Sequence, residues 1–586
     1  MDSVLRIMTA ATLLLAPGAS RPAHAEGAAS IAPVLERYLE RYFATFPTQA
    51  TAAGRHDLDH RLERLDAVDR ADWVAFNRET ARALKDALTS KTLPRDDRFD
   101  AELLLRESER TLFDWQRRER PRHDPLFWSN RLANATLMLT VRKDRPAAER
   151  LGAAIRRAEQ LPRLARTARE ALTSGDPGRI PTAWVASAER QSRAAATFYR
   201  KGFPKVAAAQ APELEREMAI AGAVAAVALT GYADFLAELK EEVSGSPRLG
   251  EDYAELFRLF TGEPRSPSEV LAAAERALDA KRRETAAYGR SVWSEVLSGE
   301  PPEDDAQLIR ALFARVADDH AKSADELVAD FQRLLDASEA FVRTRGLITL
   351  PAPRTVKTDR SPAYFTGQGV GGVYPAGPYA PESDTLFYLP TPSEGMTASQ
   401  RQAFFRDFND HFNLMITPHE MIPGHYLQAK VAARHPRKVR ALFGDGVYIE
   451  GWGTFCERLL LDEGWGGPLD RLAHLKKQLE NIARTIVDIR VHTRDMTREE
   501  LVAFVEDQAF QEAHFARNMW MRTTTSAPQI TSYWLGYEQH RALFEEARAA
   551  RGDGFDLRAY LDAMVAEGGL PVEAYRELLL GRTGSH

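Results

Sequence analysis

The sequence predicts a mainly α-helical, two-lobed fold with a deep central cleft and a small β-sheet near the candidate active site. From about Ile31 to Arg345 the chain is rich in Ala, Leu, Glu and Arg. Apolar residues recur there at three- and four-residue steps, as amphipathic helices require. At 586 residues it exceeds the size at which single hydrophobic cores stop growing, so more than one lobe is expected. One Pro- and Gly-rich interval, Leu347 to Pro392, interrupts the helical pattern and carries a short β-favouring run, Thr385-Leu386-Phe387-Tyr388-Leu389-Pro390.

Residues 1–25 begin with Arg6, continue through the apolar stretch Ile7 to Ala16 and finish at Ala23-His24-Ala25, a small-x-small site. This reads as a signal peptide and predicts export to the periplasm or beyond, although Asp2 weakens the positive start. No Cys lies near that site, which argues against a lipid anchor. Residues 26–345 are expected to form an N-terminal helical region, with helices such as Val206 to Leu239 and Glu326 to Val342. Breaks are placed at Gly175-Asp176-Pro177-Gly178 and Gly262-Glu263-Pro264-Arg265-Ser266-Pro267. No fixed-period repeat supports a solenoid, and no later apolar run approaches the roughly 20 residues of a membrane span, so no membrane insertion is expected.

Residues 346–586 are expected to form the metal-binding region, with helical patterning returning from Ala398. Strand Leu386–Leu389 is a candidate edge strand for holding substrate backbone, with Phe387 and Tyr388 as contacts, and an ordinary structural hairpin fits the run equally well. Gly367, Gly369 and Gly372 satisfy Gly-x-Gly-x-x-Gly, but Pro375 and Pro378 follow and no βαβ unit surrounds them. A Gly-rich cleft rim is the better reading, with Tyr364, Tyr374 and Tyr379 available to substrate. Cys456 is the only cysteine, so no internal disulfide can form. The formal charge of −6 and the absence of a long basic run exclude nucleic acid as an expected partner, and Arg117-Arg118-Glu119-Arg120-Pro121-Arg122 reads as a solvated helix end. Oligomeric state is not legible.

The chemistry is concentrated in His419-Glu420-Met421-Ile422-Pro423-Gly424-His425 and in Glu450-Gly451-Trp452-Gly453-Thr454-Phe455-Cys456-Glu457. A catalytic zinc takes three protein ligands and keeps a position for water, and His, His, Glu is an established set. The expected site holds one zinc ion per chain on His419, His425 and Glu450, with Glu420 as general base. The two histidines are six apart, a rotation of about 240° on an unbroken helix, so Pro423-Gly424 must re-aim the backbone, read as a bulge or kink. Glu450 and Glu457 are seven apart, about 20° short of two helical turns, and share a face. Glu450 is the expected ligand and Glu457 the carboxylate that orients a ligating imidazole; an exchange of these roles stays open. Asp488 and His492, four apart on a patterned helix, form a second candidate pair in which the carboxylate orients a catalytic imidazole. Arg484, Arg490 and Arg494 could meet a substrate carboxylate, or could simply form helix-surface ion pairs.

These motifs resemble a bacterial family catalogued as domain of unknown function 885, whose members carry His-Glu-x-x-Pro-Gly-His, then Glu-Gly-Trp with a Glu seven after the first. That family is similar to the gluzincins, zinc peptidases whose third ligand is Glu, and its Glu-to-Glu spacing is similar to that of thermostable carboxypeptidases. The resemblance therefore favours Glu450 over Glu457 as ligand. It extends to Phe46-Pro47-Thr48-Gln49-Ala50-Thr51 with Gly54 and His56, and to Pro528-Gln529-Ile530-Thr531-Ser532-Tyr533. Tyr533 in that last stretch is the expected donor to the oxyanion, with a buried structural role as the alternative. The function expected is an exported zinc peptidase acting on peptides or unfolded chains. The rivals are a metal-dependent hydrolase of a non-peptide amide or ester, and a non-catalytic binding protein that retains zinc.

Overall fold

The computed structural model describes residues 30–361, 372–392 and 395–581. The expected leader, Tyr364, Gly367 and Gly369 lie outside the described residues. The protein is mainly α-helical with a single three-stranded sheet among the described residues, and a deep cleft runs between its lobes.

One hydrophobic core gathers residues from Ile31 to Val243, joined by Val439. Its long helix α1 (Glu215–Leu239) corrects the sequence reading, because α1 with the short turn before it is long and apolar enough to cross a membrane. Here ten of its residues, including Met218, Leu229, Tyr232 and Leu236, are buried within the protein. The predicted helix from Val206 is interrupted at Pro212, where a 3-10 turn precedes α1. The predicted break near Pro264 is realised: helix α2 (Pro267–Val296) starts at a capping box in which Ser266 and Glu269 each satisfy the other's backbone N–H.

Helix α3 (Ala324–Arg345) follows, and neither α2 nor α3 belongs to the first core. Val270 and Leu271 of α2 pack with Leu472, Ile482 and Trp534, while Leu327 and Phe331 of α3 pack with Ile416 and Trp452. The first core thus ends near residue 245 apart from Val439, and the helices from 267 to 345 pack with residues of the metal-binding region. A helical composition on both sides of that boundary hides it from the sequence.

The sheet comprises β1 (Val356–Arg360), β2 (Gly372–Tyr374) and β3 (Thr385–Leu389) in the order β1-β3-β2. Strand β3 pairs in parallel with β1 and antiparallel with β2. The expected edge strand is therefore the central one, with its backbone already paired on both sides. Phe387 is 1% exposed and packs on Phe331 at 5.6 Å between ring centroids, and Tyr388 is buried against Tyr374. Neither lines the cleft. The strand next to the cleft is β2, an edge strand.

Candidate metal centre

Helix α4 (Asp410–Glu420) ends on His419 and Glu420, and helix α5 (His425–Arg434) begins on His425. The six-residue spacing is thus spanned by a break between two helices, not by a bulge inside one. Pro423, whose peptide bond to Ile422 is cis, cannot donate a helical hydrogen bond. Gly424 has an ordinary negative φ of −75°, so conformational freedom is not the reason for it. Close approach is the reason: a Cβ at this position would lie 1.9 Å from the His419 carbonyl oxygen and 2.3 Å from that of Pro418. The Trp452 indole donates to the Pro423 carbonyl at 2.9 Å and ties the break to helix α6 (Gly446–Asp462).

Helix α6 carries the carboxylates. Glu450 Oε2 lies 3.6 Å from His419 Nε2 and 3.5 Å from His425 Nε2. With zinc–ligand bonds of about 2.0–2.1 Å, tetrahedral ligands stand roughly 3.4 Å apart, so both histidine–glutamate separations suit a shared metal ion. The three residues can together hold a metal ion, their ligand atoms all lying within 4.8 Å of one another. Glu457, one helical face along, accepts from His419 Nδ1 at 2.7 Å and from His474 Nδ1 at 3.2 Å. Its first bond fixes the His419 tautomer and points Nε2 at Glu450. Gly453 makes this possible, because a Cβ there would stand 2.8 Å from the His419 ring. Gly451 similarly lets α6 touch helix α9 (Ser532–Arg551) at Gly536, a Cβ on Gly451 meeting the Gly536 backbone at 2.4 Å.

Electrostatics follow the geometry. Burial alone would lower the His419 pKa, but hydrogen bonds to Glu450 and Glu457 outweigh it and lift it to about 10. Burial raises the Glu450 carboxyl, yet His419 and His425 hold it well below the usual carboxylate range. For Glu457 burial is likewise overcome by His419 and His474, leaving about 2. Glu420 is the exception: burial pushes its carboxyl up and the two imidazoles do not fully compensate. Glu420 lines the cleft and makes no hydrogen bond to any described residue.

Tyr533, on the first turn of α9, lines the same cleft with its ring stacked on His419 at 6.4 Å between centroids. Its hydroxyl oxygen accepts from Arg522 at 2.9 Å and from Gln529 at 3.4 Å, and Gln529 also donates to Glu450 Oε1 at 3.2 Å. Burial pushes the phenol pKa up and keeps it protonated. With both donors served by its lone pairs, the hydroxyl keeps its own proton for another acceptor.

Asp488 and His492 stand elsewhere, on helix α7 (Pro468–Thr493), and neither lines the cleft. His492 Nδ1 accepts from the Leu249 N–H and Nε2 donates to the Thr523 carbonyl, both at 3.1 Å, with Tyr253 stacked on the ring. Asp488 accepts from the Tyr253 hydroxyl at 2.6 Å and makes no bond to His492. Burial lowers the His492 pKa to about 4 and raises that of Asp488 to about 8. The helical spacing is real, but this face of α7 is sealed by the chain around Leu249 and Tyr253, so the pair lies apart from the metal centre.

Among the aromatic candidates, Tyr374 lines the cleft on β2, whereas Tyr379 packs on Phe43 and under the Lys438 ammonium. Of the three arginines, Arg490 pairs with Glu275 and Arg494 is exposed, and Arg484 alone lines the cleft. The cleft has a volume of about 1870 Å³ and is walled on its far side by N-terminal residues including Gln49, Met138 and Arg142. Gln49 belongs to the N-terminal motif, whose Thr51 hydroxyl and Pro47 carbonyl accept from buried Arg157. Sequence reasoning passed over His474 and Arg522, and read Gln529, Trp452, Gly451 and Gly453 only as motif letters. A polar residue four before Tyr533 was the one available signal for Gln529.

Two solved structures share the fold over nearly the whole chain. A protein of unknown function from Shewanella oneidensis, provisionally described as a lipoprotein, superposes with a TM-score of 0.76 at 26% identity, covering 94% of this chain and 100% of its own. A provisionally described lipoprotein from Colwellia psychrerythraea gives 0.77 at 15% identity, covering 94% and 98%. A carboxypeptidase from Pyrococcus furiosus aligns at only 0.39 and 12% identity over 95% and 96% of the two chains, a likeness too low to carry an argument. No curated protein matches the sequence. The family model for bacterial proteins of unknown function DUF885 matches residues 47–579, and the chain belongs to that family.

Proposed function

We propose that this protein is a zinc-dependent peptidase that hydrolyses peptides admitted to the cleft. The observation that carries the reading is the convergence of His419 Nε2 and His425 Nε2 on one oxygen of Glu450, with Glu420 adjacent and otherwise unengaged. Two imidazoles and a carboxylate suit zinc, and a fixed His419 tautomer is the usual support of such a ligand. Bound there, zinc supplies a Lewis acid for the carbonyl and lowers the pKa of water.

The chain's own groups do the rest. Glu420 takes a proton from the water as its oxygen adds to the carbonyl carbon, then gives that proton to the amide nitrogen as the C–N bond breaks. A raised carboxyl pKa suits a group that must both accept and return a proton. Tyr533 donates its free proton to the developing oxyanion. Strand β2 offers an edge at the cleft beside which an extended peptide can lie. Export is supported by the apolar leader ending at Ala23-His24-Ala25 and by the description of two structural relatives as lipoproteins.

The test is elemental analysis joined to mass spectrometry of a digested peptide library. About one zinc per chain and discrete cleavage products are expected, both lost in a His425→Ala protein. Full zinc occupancy with no peptide cleaved would overturn the reading, and hydrolysis confined to an ester panel would replace it with the non-peptide hydrolase.

A further inference from the structure

Beyond Tyr533 the cleft wall carries a cluster of cations with a single ion-pairing carboxylate among the described residues. Lys477, Glu480 and Arg484 project from α7, and Arg522 from helix α8 (Ala513–Ser526). All four line the cavity. Glu480 is the one carboxylate of the group, and it is shared: its Oε1 pairs with Lys477 Nζ at 3.1 Å and with Arg484 Nη2. Arg522 forms no ion pair among the described residues, its hydrogen bond being to the Tyr533 hydroxyl. Asp407 and Glu512 also line the cavity, and no ion pair joins either to Arg484 or Arg522 among the described residues. Among the described residues Glu480 is thus the one carboxylate ion-paired with any of these three cations, while Glu450 and Glu420 of the candidate metal centre face them from across the cavity.

A second observation points the same way. Arg484 is 2% exposed, yet its Nε has no hydrogen-bond partner among the described residues. An N–H of a buried guanidinium left without an acceptor is costly unless something brings one. The Arg484 guanidinium carbon also lies 4.8 Å from the centre of the Tyr533 ring, so the vacant donor and the hydroxyl belong to one subsite.

We infer that Arg522, Arg484 and Lys477 form a subsite for the free α-carboxylate of a peptide, so that the enzyme acts from the C-terminus and releases at most the last three residues. The inference rests on the peptidase reading and specifies its substrate. Distance sets the number of residues. Hydrogen bonds of 3.2, 3.4 and 2.9 Å lead from Glu450 through Gln529 and Tyr533 to Arg522, so that with one more hydrogen bond of ~3 Å a carboxylate on Arg522 lies under ~13 Å from the candidate metal ligand. An extended residue spans at most ~3.6 Å, which leaves room for up to about three residues between the cleaved carbonyl and the carboxylate. Arginine suits this work because its planar fork meets a carboxylate through two parallel N–H bonds.

The experiment compares one peptide as its free acid and as its C-terminal amide, with zinc-loaded wild type, Arg522→Gln and Arg522→Lys proteins, reading kcat, KM and product masses. Wild type should favour the acid by roughly 10- to 100-fold in kcat/KM, the range of a charge-assisted hydrogen bond. Arg522→Gln should cut that preference about tenfold, mainly through KM for the acid, and Arg522→Lys should keep part of it. Because Arg522 also touches Tyr533, both substrates can lose kcat; the acid-to-amide ratio isolates the carboxylate. Acid and amide cleaved equally, or cuts far from the C-terminus, would overturn the inference while leaving the peptidase intact. An amidated peptide ending in Glu that is cleaved as well as the free acid would assign the cluster to acidic side chains instead. If neither peptide is cleaved by zinc-loaded protein, both readings fall together.

Discussion

His419 and His492 are both buried histidines on helices, and the sequence offers each a carboxylate partner, Glu457 and Asp488. They differ in what the second ring nitrogen faces. His419 spends Nδ1 on Glu457 and leaves Nε2 directed at Glu450, beside a second imidazole and an open cleft. His492 spends both nitrogens on backbone groups, and its presumptive partner Asp488 is bound to Tyr253. The residue types are alike; the number of uncommitted nitrogens is not. A histidine–carboxylate pair acquires chemistry only where the fold withholds a backbone partner from one nitrogen and gives it an opening.

The largest test of this contrast uses the two candidate bases. Glu420→Gln should retain zinc and lose turnover by about 10²–10⁴-fold, the usual contribution of a general base. His492→Gln should leave turnover of the folded protein within about threefold and lower its stability by ~1–3 kcal/mol, since it removes a bonded group from a sealed site. Initial rates at matched zinc content, with thermal unfolding curves, decide between them. A rate loss in His492→Gln as deep as that in Glu420→Gln would erase the distinction.

Tyr533→Phe sharpens the comparison at the next level, because it removes one proton and leaves the ring beside His419. A loss on the order of 10²-fold in kcat is expected for one missing oxyanion donor, with zinc content unchanged. If kcat is untouched and only KM rises, the hydroxyl serves substrate binding through Arg522 instead.

Glu457→Gln probes the support behind His419. An amide can still accept from Nδ1, but the charge that strengthens the imidazole as a ligand is gone, so zinc affinity should fall by about 10- to 100-fold. Competition against a graded series of chelators measures it. Unchanged affinity would show that His474, not His419, is the partner that Glu457 serves.

The helices, the sheet and the metal trio were legible because each announces itself locally: apolar periodicity, a Pro- and Gly-rich interval, and His and Glu at motif spacing. What could not be read concerns partners distant in sequence. Nothing near Asp488 or His492 says that Leu249 and Tyr253 will cover them, and nothing in Thr385–Leu389 says that Val356–Arg360 will pair on its second side. The bend at Pro423-Gly424 was expected, but its cause was misassigned, since the contact of Gly424 with the His419 carbonyl exists only once the chain has turned back. Arg522 was missed for the same reason: its importance lies in forming no ion pair among the described residues while bonding the Tyr533 hydroxyl, and only the folded cleft reveals that.

The smallest effect expected is on stability alone, and it tests whether the second pair is truly sealed. Asp488 is completely buried, one of its oxygens has no partner, and burial lifts its pKa to about 8 against the hydrogen bond from Tyr253. Its folded pKa thus stands above its unfolded value. Between the two the folded state holds a proton that the unfolded state releases, so this group's contribution falls as pH rises from about 4 to 8. His492 and His540, both lowered to about 4, act in the opposite direction, but only from about 4 up to their unfolded value of 6.5. Between pH 6.5 and 8 the Asp488 contribution is therefore unopposed by them. Asp488→Asn keeps an acceptor for Tyr253 and removes the titration. The stability of wild type relative to this variant should fall across that window by at most ~2 kcal/mol, the value of one proton over one and a half pH units. Denaturant unfolding of both zinc-loaded proteins at several pH values gives the difference directly, and groups common to both cancel. Parallel stability curves would mean that Asp488 is ionised in the folded protein and reached by water, and the contrast with the metal centre would lose its physical basis.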